Sequence, residues 1–190
     1  MSSIRSARRS RKVARVVAGL AVCVLVGATQ APEASAQTAD TDGCVIRENF
    51  TEQAYIVSRQ DRTIPGTSSG DVSVARDQLY DQGKHIGTTD VRATLYLLDD
   101  DVWQMVEGYD RFKDGSVYLL GPSSISAALR GEVIMISATG TSGAYRGKIG
   151  VRTFQLTAQA ADHNTYVSNL YVCKSEDEAT AKAASSARTK

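Results

Sequence analysis

Hydrophobic and polar residues alternate along most of this chain between residues 54 and 173. The runs Val91–Asp99 (VRATLYLLD), Val102–Phe112 (VWQMVEGYDRF) and Ser116–Gly121 (SVYLLG) each have a period of two. So do Glu132–Gly140 (EVIMISATG), Gly150–Ala158 (GVRTFQLTA) and Thr165–Cys173 (TYVSNLYVC). All are rich in β-branched or aromatic residues and bounded by Gly, Asp, Asn or Pro, which reads as strands. Ala54–Arg59 and a stretch around Val72–Tyr80 bring the strand count to about eight. The KDGS of Lys113–Ser116 predicts a tight hairpin, with Asp-Gly taking the positive φ of a type I′ turn. Only Ser123–Arg130 (SSISAALR), with Pro122 near its start, has the composition for a turn or two of helix. No period of 20 to 50 residues repeats. Short strands joined by tight turns in one small domain predict an all-β fold: a single eight-stranded antiparallel β-barrel over 44–173, whose closure removes exposed edges.

Four glycines, Gly140, Gly143, Gly147 and Gly150, precede the strand at 150–158. A nucleotide-binding reading fails on spacing. No G-x-G occurs here, Gly143 and Gly147 enclose only three residues, and Ile149 rather than Ser or Thr follows Lys148. Glycines beside strands allow bulges, corners and close backbone approach, and a small barrel needs these where its sheet curls shut.

The first 36 residues carry Arg5, Arg8, Arg9, Arg11, Lys12 and Arg15, then the apolar run VVAGLAVCVLVGA, then Ala34-Ser35-Ala36. A basic region, an apolar core and a small-x-small site predict a secretory signal cleaved after Ala36. The uncharged run of about thirteen residues is short for a membrane anchor, which needs ~20. Residues 37–43 form a polar lead-in. Without residues 1–36 the chain has 16 basic and 20 acidic groups, a net charge of −4. That sign gives no electrostatic reason to seek nucleic acid or anionic lipid. Export also leaves two cysteines, Cys44 and Cys173, flanking the domain. In an oxidising compartment such a pair reads as one disulfide, the alternative being two buried thiols. His85 and His163 are isolated and no His/Cys cluster has zinc spacing, so no metal is expected. The polar, alanine-rich segment 174–190 reads as a disordered tail.

Within the last strands the side-chain pattern becomes chemically informative. Gly150, Arg152, Phe154 and Leu156 share one face of their strand, and Trp103, Met105, Glu107 and Tyr109 share one face of theirs. A charge grouped with large apolar residues belongs to a structural ion pair or rim, or is one of the few polar groups of an apolar pocket.

Three stretches together resemble the allene oxide cyclase-like barrel superfamily: Gln78–Thr89 (QLYDQGKHIGTT), Phe112–Gly121 (FKDGSVYLLG) and Ser137–Thr157 (SATGTSGAYRGKIGVRTFQLT). The shared pattern is a Leu-Tyr-Asp strand end, a G-x-x-x-G turn, a D-G hairpin, and G-x-x-G-x-Y-x-G-x-x-G before a late strand. Bacterial spirotetronate cyclases and related polyketide 4+2 cyclases are the most similar branch, with plant allene oxide cyclases and dirigent proteins further away. The resemblance implies a barrel whose lumen folds a long, apolar, polyketide-like substrate and closes a ring without cofactor, by holding reacting carbons in near-attack geometry. On that basis Arg152 matches a lumen arginine, and Phe154 stands where close relatives carry tryptophan. Ile136 and Val106 stand where tyrosines are expected. The expected lumen lining is Tyr96, Trp103, Met105, Glu107, Tyr109, Ile136, Arg152 and Phe154. Arg152 is expected to be the catalytic anchor, gripping a carbonyl or enolate oxygen with its fork of donors. Family likeness turns Val106 inward while composition turns Trp103, Met105 and Glu107 inward, and a bulge at Gly108 would accommodate both. Other readings are an exported, non-enzymatic ligand-binding barrel and a dirigent-like partner of an oxidase. Homo-oligomerisation is left open.

Overall fold

The computed structural model describes residues 43–62, 67–98 and 101–187. The predicted signal, residues 1–36, and residues 37–42 of the polar lead-in lie outside the described residues. Among those described, eight strands form one closed barrel in chain order: β1 Val45–Gln60, β2 Val72–Asp81, β3 Lys84–Leu98, β4 Asp101–Phe112, β5 Gly115–Ser124, β6 Ile134–Gly140, β7 Ile149–Gln159 and β8 Asn164–Cys173. Each strand pairs antiparallel with the next, and β1 pairs with β8 to close the ring. Every segment read as a strand is one. The reading falls short at the first half of β1 and at Lys84–Asp90 of β3, where charged residues and glycine interrupt the alternation. A bulge with Asn49 at φ 55° adds to the irregularity of β1.

Side chains from alternate positions fill one end of the barrel. Phe50, Phe112, Val117, Tyr145, Leu170 and Val172 are all buried there. The ring of Phe112 sits edge-on to Phe50 at 6.2 Å and tilted against Tyr145 at 5.6 Å. Arg47 lies 4.5 Å over the Phe112 ring and grips Asp114 through two 2.9 Å bonds, sealing this end with charge outside and rings inside. The glycine-rich stretch delivers Tyr145. Its 3₁₀ turn, Gly143–Tyr145, crosses the β4–β5 hairpin so closely that a Cβ on Gly143 would strike the Asp114 carbonyl. Gly143 is therefore the corner residue that lets the tyrosine enter.

The β4–β5 hairpin departs from its expected turn type. Neither loop residue, Lys113 or Asp114, has positive φ; Gly115 does, at 146°. The type I′ turn is instead at β2–β3, where Gln82 and Gly83 have φ of 48° and 77°. The short helix α1, Ile125–Leu129, falls where expected, capped by the Ser124 hydroxyl accepting from the Ala127 N–H at 3.0 Å.

The expected disordered tail is corrected by the structure. Residues Glu176–Ala187 form helix α2, and its i, i+4 pair Ala179 and Ala183 packs on Val151, Tyr171 and Cys173 on the outside of β7 and β8. The helix lacks a wide apolar stripe, but two methyl groups suffice because the barrel supplies the larger partners. Glu176, Asp177 and Glu178 in its first turn suit the helix dipole. Residues 188–190 lie outside the described residues. At the root of α2 the sulfurs of Cys44 and Cys173 meet at bonding distance, with Cα atoms 4.0 Å apart.

Candidate functional site

The other half of the barrel is hollow. A cavity of about 630 Å³ occupies the lumen, within the usual span of ligand sites. Its walls come from the inward positions of successive strands: Val91, Ala93 and Leu95 on β3, Val106 on β4, Leu119 on β5 and Ile136 on β6. Phe154 and Leu156 of β7 continue this wall, and Tyr166 of β8 stands edge-on to Phe154 at 5.8 Å. Small residues at Ala75 and Ala93 leave the space open. The mouth lies where Ile56 and Gln60 end β1 and Ala128 and Leu129 of α1 lean over. Asp71 fixes a loop at the rim by accepting from the backbone N–H groups of Arg62 and Ser68 at 3.0 and 2.8 Å.

A layer of charge separates cavity from plug. Arg152, only 1 % exposed, extends from β7 across the barrel. Its Nε donates to Asp110 Oδ2 and its Nη2 to Glu52 Oε2, each at 2.9 Å, while Nη1 donates to the Thr153 carbonyl at 3.1 Å. The guanidinium lies 4.7 Å from the Phe50 ring centroid. Asp110 also accepts from Thr89 at 2.6 Å, and Glu52 from Ser168 at 2.6 Å. Asp77 completes the layer by sharing a hydrogen bond with Glu52.

These groups set one another's charge. Burial alone would raise the Glu52 carboxyl, but the Arg152 charge and hydrogen bonds from Asp77, Ser168 and Arg152 outweigh it and hold Glu52 below its ordinary value. Burial raises Asp110, and the Arg152 charge opposes that rise without cancelling it. Burial and then the Glu52 charge push the Asp77 carboxyl well above its ordinary value, making it the most easily protonated of the three acids. Arg152 is lifted still higher than a free arginine because the two carboxylates outweigh its desolvation.

Of the eight expected lining residues, the structure brings three together in the cavity: Ile136, Arg152 and Phe154. Tyr96, Trp103, Met105, Glu107 and Tyr109 point the other way, onto the outer face. The register of β4 is unbroken against both β3 and β5, so no bulge occurs at Gly108 and no side chain switches face. Val102, Gln104 and Val106 face inward, as the family likeness suggested for Val106. Composition misled because the outer wall is itself aromatic. Tyr96 stands opposite Trp103, and Tyr109 opposite Tyr118, with rings 5.1 Å apart. Glu107 accepts from the Tyr118 hydroxyl out there at 3.0 Å. Arg152 is inside as expected, but three of its N–H directions already serve Asp110, Glu52 and Thr153, so it is the counter-charge of a cluster rather than an open fork.

Sequence reasoning missed the acids. Glu52 shares the inward face of Phe50 and Ala54, Asp77 that of Ala75 and Leu79, and Asp110 that of Val106. Each is a carboxylate on an apolar face, the same signal that singled out Arg152, and a buried arginine demands such partners. Among the described residues the cluster with metal-ligand geometry is Cys44, Cys173 and Glu178, where the two sulfurs engage each other.

The barrel is shared with solved structures. The chain superposes on a nonspecific heme-binding cyclase that catalyses a 4+2 cycloaddition in neoabyssomicin biosynthesis, with a TM-score of 0.63, 22% identity, and coverage of 74% of this chain and 71% of that one. It superposes on a Diels-Alderase of Streptomyces koyangensis with a TM-score of 0.61 and 24% identity, over 72% of this chain and 66% of that one. For an exo-specific intermolecular Diels-Alderase the values are 0.56, 18%, 68% and 96%. These likenesses establish the fold. The family of allene oxide cyclase barrel like domains matches residues 51–172, from within β1 to the last plug residue of β8. The chain belongs to that family.

Proposed function

We propose that the protein is a cyclase that folds an apolar, polyketide-like substrate inside its lumen and brings two ends of it together to form a ring. The supporting observation is the shape and lining of the cavity: about 630 Å³, closed at one end, with aliphatic and aromatic side chains on its middle walls between a charged floor and a polar mouth. A hydrocarbon chain admitted from the mouth must coil to fit, and holding reacting carbons within near-attack distance removes much of the entropic barrier. Such a reaction needs no nucleophile or acid–base pair at the bond being made. The floor cluster would orient the polar end of the substrate. The similar solved barrels named as 4+2 cyclases and Diels-Alderases favour ring closure by cycloaddition.

Export after cleavage at Ala36 and a covalent Cys44–Cys173 bond belong to the same proposal, with the reaction finished outside the cytoplasm. The test is incubation of the purified protein with linear polyenes carrying a tethered dienophile. A product of unchanged mass, formed faster than in buffer, supports the reading. Saturable binding without acceleration makes the protein a ligand carrier instead, and absence of both overturns the lumen as a functional site.

A further inference from the structure

The donors of the charged floor are directed at its own acceptors. Thr89 gives its hydroxyl hydrogen to Asp110, and Arg152 spreads its fork over Asp110, Glu52 and the Thr153 carbonyl. The wall above them is different. On β8 Ser168 reaches Glu52 and Leu170 packs in the plug, so every second residue faces in, and Tyr166 and Asn164 line the cavity. The cross-strand neighbours of Tyr166 are Glu52 on β1 and Leu156 on β7. The tyrosine is half-buried, and its ring is set edge-on against Phe154. Its oxygen lies 3.4 Å from Asn164 Nδ2, one inward position nearer the mouth, and accepts from it. The phenol is thus tipped toward the mouth and not onto Glu52, which accepts from Arg152 and Ser168. Among the described residues no oxygen accepts the hydrogen of the Tyr166 hydroxyl. A phenol is a donor as well as an acceptor, so one donor remains for a group in the lumen. Burial raises the Tyr166 pKa, the Asn164 bond opposes that, and the Glu52 and Asp77 charges add to the rise, so the hydroxyl keeps its proton at neutral pH.

We propose that Tyr166 is the specificity-determining contact of the lumen, its O–H donating to the neutral carbonyl oxygen of an otherwise apolar ligand. The inference rests on the lumen being the ligand site and names the group that site would recognise. It moves the expected polar contact from Arg152 to a phenol on the wall. A donor standing among apolar side chains loses its bond to water when an oily ligand fills the cavity, and a carbonyl placed against it restores that bond. A ligand of the same shape without an acceptor leaves the donor unpaired, which is how one hydroxyl discriminates between the two. A carboxylate or enolate in the same place meets the Glu52 charge on the neighbouring strand, with Arg152 already engaged. The neutral oxygen is therefore the one that fits.

The probes are β-ionone, a neutral ketone on an apolar skeleton, and its analogue with a methylene in place of the carbonyl. Tyr166→Phe removes one oxygen and leaves the ring against Phe154, so it separates the hydrogen bond from the wall. Ketone affinity is read by titration calorimetry, hydrocarbon affinity by displacement of the ketone, and the bound carbonyl by infrared difference spectroscopy. Wild type is expected to bind the ketone about fivefold more tightly than Tyr166→Phe does, the scale of one hydrogen bond. The ketone stretch should lie at lower frequency in wild type than in Tyr166→Phe, a signature that a purely structural tyrosine does not produce. The hydrocarbon should bind Tyr166→Phe at least as tightly as wild type, because no donor is then left unpaired. The same stretch and affinity in both proteins overturns the assignment while leaving the lumen as a ligand site. So does an equal loss of ketone and hydrocarbon, or a stretch that moves in Asn164→Leu but not in Tyr166→Phe. If β-ionone fails to bind wild type, or binds Ala93→Phe equally well, the lumen reading fails and this inference fails with it.

Discussion

Replacing Arg152 with methionine tests the charged layer most severely. Methionine reproduces the unbranched stem as far as Nε but removes the donors to Asp110, Glu52 and the Thr153 carbonyl. Glu52, Asp77 and Asp110 are then left together, none more than 8 % exposed, with no guanidinium between them. Removing one partner from a buried ion pair costs about 3–5 kcal/mol, because the remaining charge stays desolvated. For a domain of this size that corresponds to a fall in Tm of about 10–20 °C. The loss should depend on pH in a defined direction. In the wild type Glu52 lies below its ordinary 4.5, so its contribution is present above that value and is lost as pH falls through the folded-state pKa. Without Arg152 the main opposition to burial is gone, leaving only the hydrogen bonds from Asp77 and Ser168, and Glu52 rises. Asp110 and Asp77, already above their ordinary 3.8, rise further. A raised acid favours the folded state at low pH, and that advantage is lost as pH rises through the folded-state pKa. The Tm gap between wild type and Arg152→Met should therefore be widest at neutral and alkaline pH and narrow toward pH ~4. Arg152→Lys should recover only part of the loss, since one ammonium cannot reproduce the fork that spans Asp110 and Glu52. Differential scanning calorimetry between pH ~4 and ~8 measures all of this. An unchanged Tm for Arg152→Met at neutral pH, or a gap that widens toward acid, would refute the ion-pair account.

Other consequences can be checked separately. Non-reduced peptide mapping of exported protein should recover Cys44 linked to Cys173, and the 129-residue separation sets the loss on Cys173→Ser at up to about 5 kcal/mol; two alkylatable thiols would count against it. Ala179→Asp puts a charge into the fully buried contact between α2 and the barrel, and should release residues 176–187 to fast hydrogen exchange while the strands stay protected. Trp103→Ala and Tyr109→Ala should leave polyene binding unaltered, as both lie on the outer face, whereas Ala93→Phe should block the lumen and abolish binding with the barrel intact.

The fold was largely legible because a barrel strand writes itself as alternation, and seven of the eight strands keep that pattern over most of their length. The exception, the first half of β1, breaks it with Arg47, Glu48, Asn49 and Glu52. Of these, Arg47 seals the plug and Glu52 belongs to the floor cluster. Function and legibility conflict there, since the residues that carry the charged layer also erase the strand signal. The site was half legible. Parity alone fixed Arg152 and Phe154 on one face, but it does not say which face of β4 is the inside. That choice depends on what packs outside, and the outer wall's Tyr96–Trp103 and Tyr109–Tyr118 pairs look like a core in the sequence. Helix α2 escaped notice for a related reason. Its apolar face is two alanines wide, and the area it covers is contributed by Val151 and Tyr171 of the barrel.

The stereochemistry of ring closure tests the central claim most directly. A linear polyene with a tethered dienophile cyclises in buffer to a mixture of diastereomers, because the free chain folds in several ways. The proposed reaction requires that a lumen floored by Arg152 and its acids restrict the chain to one productive fold. Chiral chromatography of the products should show one dominant diastereomer with the wild-type protein and the buffer mixture with Ala93→Phe. The buffer mixture with both proteins, or the same single diastereomer with both, would contradict the claim that the lumen is where the ring is made.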